Sequence, residues 1–500
     1  MFDRNLRILI VSSEVSPFAK VGGLADVAGS LPKALATLGE GELANDVRVV
    51  MPRYRRIANA KYVTDFPIDM AHRQETAIIR ESSLEAKLGE AHALVPVYFV
   101  DNYHYFNRDG IYAYGDDAER FSFFCKAVLE MLPRLDFQPD LIHCNDWQTG
   151  PIPFLLKEEY ARRNPEFYSR IATLYTIHNL QYQGTFDKSV LRSLGVGDEY
   201  FHPGALEFWG QVNFMKAGLV YADVLNTVSR TYALEIQTPE YGERLEGVLQ
   251  DRSKDLFGIV NGINYHEFNP RTDPRLVANY DRDFLGAKKE NKIDLQREMG
   301  LPVRDVPVFG LVSRLVSQKG LDILGEAAEQ LLSDNLQFIA LGTGDPYYEN
   351  LFRSLAHRHP ERCAVQIGFN GVLAQRIYAG SDFFLMPSRF EPCGLGQLIA
   401  MRYGTIPIVR ATGGLADTVH DVNQNPEAGN GFVFTEYSAK ALLDTVERAL
   451  ALYRQQPEFW AALVRRVMEA DYSWSKSAAS YVELYQRAIA KVLAREPVAV

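Results

Sequence analysis

The sequence predicts an α/β protein of two Rossmann-like domains facing a deep interdomain cleft, and three observations lead there. The chain has 500 residues, well beyond the roughly 250–300 at which a single core stops growing. Short apolar runs alternate with helical patterns along its whole length, as in parallel sheets covered by helices. Polar and glycine-rich segments follow those runs, at the strand ends where open parallel sheets bind ligands.

In the first half, strands are expected over residues 7–12, 46–51, 93–100, 140–144, 172–177 and 224–228. The second half offers 308–312, 336–341, 364–367, 383–386, 406–409 and 431–434. A polar, charge-rich stretch from Asn269 to Lys292 separates the two sets, so the boundary is placed near Val260-Asn-Gly-Ile-Asn264. Residues 1–262 then form an N-terminal domain, 263–477 a C-terminal domain and 478–500 a terminal helix. Along that helix Ala478, Tyr481, Val482, Tyr485, Ile489 and Val492 recur at helical spacing as one apolar stripe. The stripe must be covered, by its own domain or by the N-terminal one.

Composition excludes several classes. Hydrophobic residues at 47% and charged residues at 23% are ordinary for a globular chain. A net charge of −10 argues against nucleic acid or an anionic membrane as partner. The cysteines Cys125, Cys144, Cys363 and Cys393 are scattered without a Cys-x-x-Cys pair, so neither a disulfide framework nor a zinc site is expected. The first apolar segment, Ile8 to Val11, is too short for a signal sequence or membrane span, and a cytoplasmic enzyme is expected. The oligomeric state stays open.

The chemistry sits after the strands. Between the first strand and first helix lies Lys20-Val-Gly-Gly-Leu-Ala-Asp26, whose glycines let backbone amides approach a phosphate at a helix N-terminus. Lys20 adds a mobile charge, while Asp26 either joins the site or only supports the first helical turn. The motif is echoed as Gly413-Gly-Leu-Ala-Asp417. Arg314 and Lys319 stand five residues apart after another strand and could neutralise a diphosphate without a metal. Glu391 precedes Pro392, which favours an extended backbone, so its carboxylate projects from a turn; Gly394, Leu395 and Gly396 open the next helix. His178, Asn179, Gln181 and Gln183 make a neutral surface suited to sugar hydroxyls.

Together these stretches resemble the bacterial glycogen synthase and plant starch synthase family. The matches are Lys20 to Val27, Asp146-Trp147, His178-Asn179 with Tyr182-Gln-Gly184, Asn261-Gly262, Ser313-Arg314 with Gln318-Lys-Gly320, Phe390 to Leu395, and Ala411 to Leu415, in family order over nearly the whole chain. The resemblance implies a GT-B glycosyltransferase that is metal-independent, cofactor-free and retaining, and that transfers glucose from ADP-glucose to an α-1,4-glucan. By the same resemblance Lys20, Gly23 and Asp26 lie near the donor phosphates, and Arg314 and Lys319 hold the diphosphate. His178 and Asn261 contact the transferred glucose, Glu391 sits beneath it, the amides of Gly394 and Leu395 read its hydroxyls, and Gly396 also belongs to the donor site. Phe369 stacks on the adenine. Glu14, Asp146, Trp147, Asn179 and Gln183 face the acceptor glucan. Three positions depart from the family pattern: Gln148 stands for a common His, Gly396 for Ser or Thr, and Phe369 for Tyr. Glucan phosphorolysis and non-catalytic glucan binding remain as alternatives on the same fold.

Overall fold

The computed structural model describes residues 5–38, 45–88 and 91–495. Residues 496–500 of the expected terminal helix, and 1–4 before the first strand, lie outside the described residues. In chain order the strands are β1 (Arg7–Val11), β2 (Asp46–Pro52), β3 (Lys61–Met70), β4 (Arg73–Leu88), β5 (Ala91–Asp101), β6 (Leu141–Asn145), β7 (Ala172–Ile177), β8 (Thr185–Phe186) and β9 (Glu207–Phe208). They continue as β10 (Gln211–Asn213), β11 (Val224–Thr227), β12 (Leu256–Gly258), β13 (Val308–Val312), β14 (Gln337–Gly342), β15 (Cys363–Ile367), β16 (Phe383–Met386), β17 (Ile406–Arg410) and β18 (Phe432–Phe434). The chain divides into two compact units. The first holds the residues up to Val228, Ala233–Gly262 and the chain from Trp474 onward; the second holds Ser229–Tyr232 and Ile263–Ser473.

The first unit is built on a nine-stranded sheet in the order β12-β11-β7-β6-β1-β2-β5-β4-β3. Its parallel centre comes from apolar runs such as Leu141–Asn145 and Ala172–Ile177, buried at every residue because helices cover both faces. Strand order reverses between β1 and β6, which pair in parallel from Ile8↔Leu141 to Val11↔Cys144. That reversal opens a crevice beyond their carboxyl ends.

Six strands were expected here, all parallel. The structure adds β4, antiparallel to β5, and β3, antiparallel to β4, together with β12 and a small sheet β8-β10-β9. These additions lack the buried apolar run on which the expectation relied. In β3 the end from Asp65 to Met70 alternates exposed and buried, with Asp65, Pro67 and Asp69 outward, as befits an edge strand solvated on one face.

The terminal helix runs Trp474–Leu493, starting four residues before Ala478. It buries Ala478, Tyr481, Tyr485, Ile489 and Val492 against the helix Gly23–Ala36 and against β6, β7 and β11; Val482 is only half-buried. Polar groups fix its register. Tyr485 Oη lies 2.9 Å from His143 Nδ1, Thr176 Oγ1 lies 2.7 Å from His143 Nε2, and Asn226 Nδ2 donates to Tyr481 Oη at 3.1 Å.

The second unit is a six-stranded parallel sheet ordered β15-β14-β13-β16-β17-β18, with the six expected strands in place. Phe309 and Phe383 stack at 4.7 Å where β13 meets β16, and Trp460 packs on Phe383 at 4.9 Å. Order reverses between β13 and β16, so the segments after Val312 and Met386 flank this unit's ligand-binding crevice.

Candidate active site

In the first unit, the loop after β1 is held from within. Glu14 is buried, and its Oε2 accepts the N–H of Val21 and, at 3.0 Å, that of Gly22. Its Oε1 accepts from Tyr112 Oη at 2.5 Å. Both carboxylate oxygens are therefore engaged in shaping the glycine-rich loop, and in this conformation Glu14 is the loop's anchor. Beyond the loop, the helix Gly23–Ala36 begins with no side-chain cap, leaving its first amides to solvent or an anion. Lys20 Nζ pairs with Asp26 Oδ1 at 2.7 Å, both partly exposed. In water such a pair is worth little, so an arriving phosphate can draw Lys20 away.

Across the β1/β6 reversal, Asp146 carries φ 56° and ψ −177°, a region that normally admits only glycine. Its Oδ1 accepts the His178 N–H at 2.7 Å. Burial raises its pKa to about 7 against the opposing pull of the His178 and Asn179 amides. His178 Nε2 lies 2.8 Å from Asn145 Oδ1, while Asn145 Nδ2 donates to Val11 O at 3.0 Å. That second bond leaves Asn145 Oδ1 as the acceptor, so His178 carries its proton on Nε2 and presents a bare Nδ1. Burial lowers the His178 pKa to about 3, so it meets a ligand as a neutral hydroxyl acceptor.

Trp147 is wedged between Phe121 at 5.1 Å and Phe186 at 5.6 Å. A Cβ on Gly184, at φ +63°, would stand 2.3 Å from the indole, so only glycine lets this loop close over the ring. Asn179 Oδ1 accepts the Gln181 N–H at 3.1 Å. Gln183 donates to Glu243 O at 3.0 Å and accepts from Asn213 Nδ2 at 2.7 Å, so it joins two loops to the small sheet. Asn261 is buried with its Oδ1 unpartnered, an acceptor suited to a ligand hydroxyl.

The second unit gathers its residues around the β13/β16 reversal. Lys319 Nζ lies 2.7 Å from Glu391 Oε2, with side chains only 18% and 8% exposed, and Ser388 Oγ donates to the same oxygen at 3.0 Å. Arg314 is exposed and has no ion-pair partner among the described residues. Gly320, at φ +70°, brings the two strand-end loops together: a Cβ there would lie 1.9 Å from Pro387 O. The Arg389 N–H donates to Gln318 O at 2.9 Å.

The Gly413-Gly414 echo serves this loop too. The Gly414 N–H donates to Glu391 O at 3.0 Å, and a Gly413 Cβ would meet the same oxygen at 2.0 Å. The two copies thus play different parts, since the Glu14 carboxylate holds the first whereas the second supports the Glu391 backbone. Gly394, at φ +74°, and Leu395 precede the helix Gly396–Arg402, which has no side-chain cap. Phe369 follows Gly368 and is 91% exposed. Sequence reasoning missed Tyr112 and gave Asn145 and Ser388 only as polar residues at strand ends; each acts through a contact made only on folding.

The starch synthase catalytic domain model matches residues 7–251, and the glycosyl transferases group 1 model matches residues 293–461. A glycogen synthase of Desulforudis audaxviator is 64% identical over 493 residues, covering 98% of both chains. The chain belongs to the glycogen and starch synthase family. Within it, glycogen synthases of Moorella thermoacetica and Thermotoga maritima are 59% and 48% identical, covering 98% and 97% of this chain and 98% and 100% of theirs. The catalytic domain of Arabidopsis thaliana starch synthase IV, solved bound to ADP and acarbose, is 35% identical and superposes with a TM-score of 0.87 over 97% of this chain and 100% of that one. That match gives the chain the family's two-domain GT-B fold. Among the described residues no three His, Cys, Asp or Glu side chains group as a metal site, and no helix is long and apolar enough to cross a membrane.

Proposed function

We propose that this chain transfers the glucosyl group of ADP-glucose to the non-reducing end of an α-1,4-glucan, with retention and release of ADP. It does so in the cytoplasm, needs neither metal nor other cofactor, and has no nucleic-acid or membrane partner. The observation that carries this reading is the cation pair at the second unit's strand reversal. Arg314 has no ion-pair partner among the described residues, and Lys319 is preset by Glu391 at 2.7 Å.

As the bond between the anomeric carbon and the diphosphate oxygen breaks, its electron pair passes to the departing ADP. Arg314 and Lys319 meet that growing charge as fixed donors, a preorganised stabilisation that water would have to build afresh. The acceptor 4-hydroxyl oxygen bonds the anomeric carbon on the face the diphosphate leaves, and its proton passes to the departing diphosphate oxygen, which gives retention. Glu391, committed to Lys319 and Ser388 through Oε2, serves as the anion that holds Lys319 and faces the developing sugar cation. The Lys20–Gly23 loop and Asp26 are assigned to the donor phosphates, the Gly394–Gly396 backbone to the donor sugar and Phe369 to the adenine. Neutral His178 and the unpartnered Asn261 Oδ1 are assigned to glucose hydroxyls, and Asp146, Trp147 and Asn179 to the acceptor side.

The test is ADP release from ADP-glucose with glycogen, together with incorporation of labelled glucose into polymer. Arg314→Ala with Lys319→Ala should lower turnover at least about a hundredfold, since one preorganised donor alone is worth that much, while the circular dichroism stays native. Near-normal ADP release by the folded double variant overturns the assignment. Glucan binding without ADP release would mark a non-catalytic protein, and dependence on inorganic phosphate would mark phosphorolysis.

A further inference from the structure

The small sheet of the first unit ends in a turn whose chemistry is wrong for a turn. β9 and β10 pair with Gln211 opposite Phe208, leaving Trp209 and Gly210 as a two-residue loop at φ 53° and 81°. Positive φ at both positions is a type I′ turn, which favours Asn-Gly. A bulky side chain is disfavoured at the first position by contact between its Cβ and the backbone. Burial gives no compensation, because Trp209 is 73% exposed. An indole that is strained into place and left in water is serving something other than the fold.

What surrounds it indicates what that is. The Arg244 guanidinium lies 5.5 Å from the indole centroid and has no ion-pair partner among the described residues. Arg244 and its neighbour Glu243 also have positive φ, 67° and 49°. Gln183 ties this corner together, donating to Glu243 O and accepting from Asn213 of β10. Tyr182, next to Gln183, is 50% exposed. The patch therefore continues from Trp147 and Phe186, through Gln183, to Trp209. It offers aromatic faces and uncommitted N–H donors, which suit the flat apolar face and rim of hydroxyls of a hexose.

We propose that Trp209 and Arg244 form a remote acceptor subsite, with the indole stacking on a glucosyl unit of the glucan set back from its reacting end. The strand Gln211–Asn213 puts about 7 Å of extended chain, two steps of 3.3 Å, between the turn and Asn213, so the subsite serves long acceptors and is out of reach of the shortest. This rests on the glucosyl-transfer reading, and the experiment keeps the two apart.

Trp209→Asn removes the ring and installs the residue the turn favours, so its melting temperature equals or exceeds that of the wild type. Its KM for maltoheptaose rises about tenfold, the factor that 1.4 kcal/mol represents. Its kcat and its KM values for maltose and ADP-glucose stay unchanged, and Trp209→Phe keeps part of the affinity. Maltoheptaose binding measured calorimetrically without donor falls in parallel. A wild type active on glucans whose maltoheptaose KM and affinity survive Trp209→Asn overturns the subsite and leaves the transfer reading standing. So does a wild-type dimer that Trp209→Asn dissociates without changing that KM. A wild type that neither binds nor extends glucans overturns both.

Discussion

Gly320→Ala tests how the fold assembles the donor half-site, and Gly300→Ala is its control. Both glycines have φ +70°, but a Cβ on Gly300 meets nothing within 4 Å, whereas one on Gly320 would sit 1.9 Å from Pro387 O and 2.6 Å from its carbonyl carbon. Gly300→Ala therefore isolates the backbone term, about 1 kcal/mol for an L-residue in the left-handed region. Gly320→Ala adds the clash. Ordinary contact begins at 3.4 Å, so the two loops must part by about 1.5 Å (3.4 − 1.9), an overpacking cost of roughly 1–3 kcal/mol.

For a domain of this size 1 kcal/mol moves the melting temperature by about 2–4 °C. Gly300→Ala should thus lower the second unit's transition by about 2–4 °C and Gly320→Ala by roughly 4–16 °C. The kinetic split is sharper. Parting the loops pulls Glu391, which accepts from Ser388 Oγ at 3.0 Å and from Lys319 Nζ at 2.7 Å, away from Lys319, and a displacement of about 1 Å can lower turnover a hundredfold. Differential scanning calorimetry and ADP release measure both quantities. Equal melting shifts for the two variants, or normal turnover in Gly320→Ala, would refute the account of the Gly320–Pro387 contact.

Asp146, with its pKa raised to about 7 by burial, should make the first unit lose stability as pH rises. A carboxyl raised above its unfolded value near 3.8 contributes fully below that value and nothing above about 7, at most about 4 kcal/mol at 1.36 kcal/mol per unit. Asp146→Asn should flatten that slope between pH 4 and 8 in calorimetric melts, and an unchanged slope counts against the raised pKa. Tyr485→Phe leaves the buried His143 Nδ1 without its 2.9 Å partner, which should destabilise the first unit by about 1–3 kcal/mol with KM for ADP-glucose unchanged. A shift in that KM would mean that the terminal helix does more than pack.

Much of the candidate site was legible because its motifs are local. Lys20 to Asp26, Arg314 to Lys319, and Glu391 to Gly396 each fall in one short loop, and strand-to-helix loops carry ligand sites wherever the sheet is parallel. Glu14 and Gln183 were read as acceptor contacts; in the folded chain both side chains are taken up by loop scaffolding. The edge strand β3 and its neighbour β4 went unread because their half-solvated faces carry charges where the parallel centre is apolar.

The sequence by itself determined the two parallel-sheet halves, the order of the motifs and hence the family, since apolar periodicity and short-range spacing survive without a fold. Only the tertiary structure decided which polar groups remain available. Glu14 meets Tyr112 across 98 residues, Lys319 meets Glu391 across 72, and Trp209 is left in water while Trp147 is half-buried between Phe121 and Phe186. Hydrogen bonds and burial act through space between segments distant along the chain, and a linear pattern carries no record of those distances.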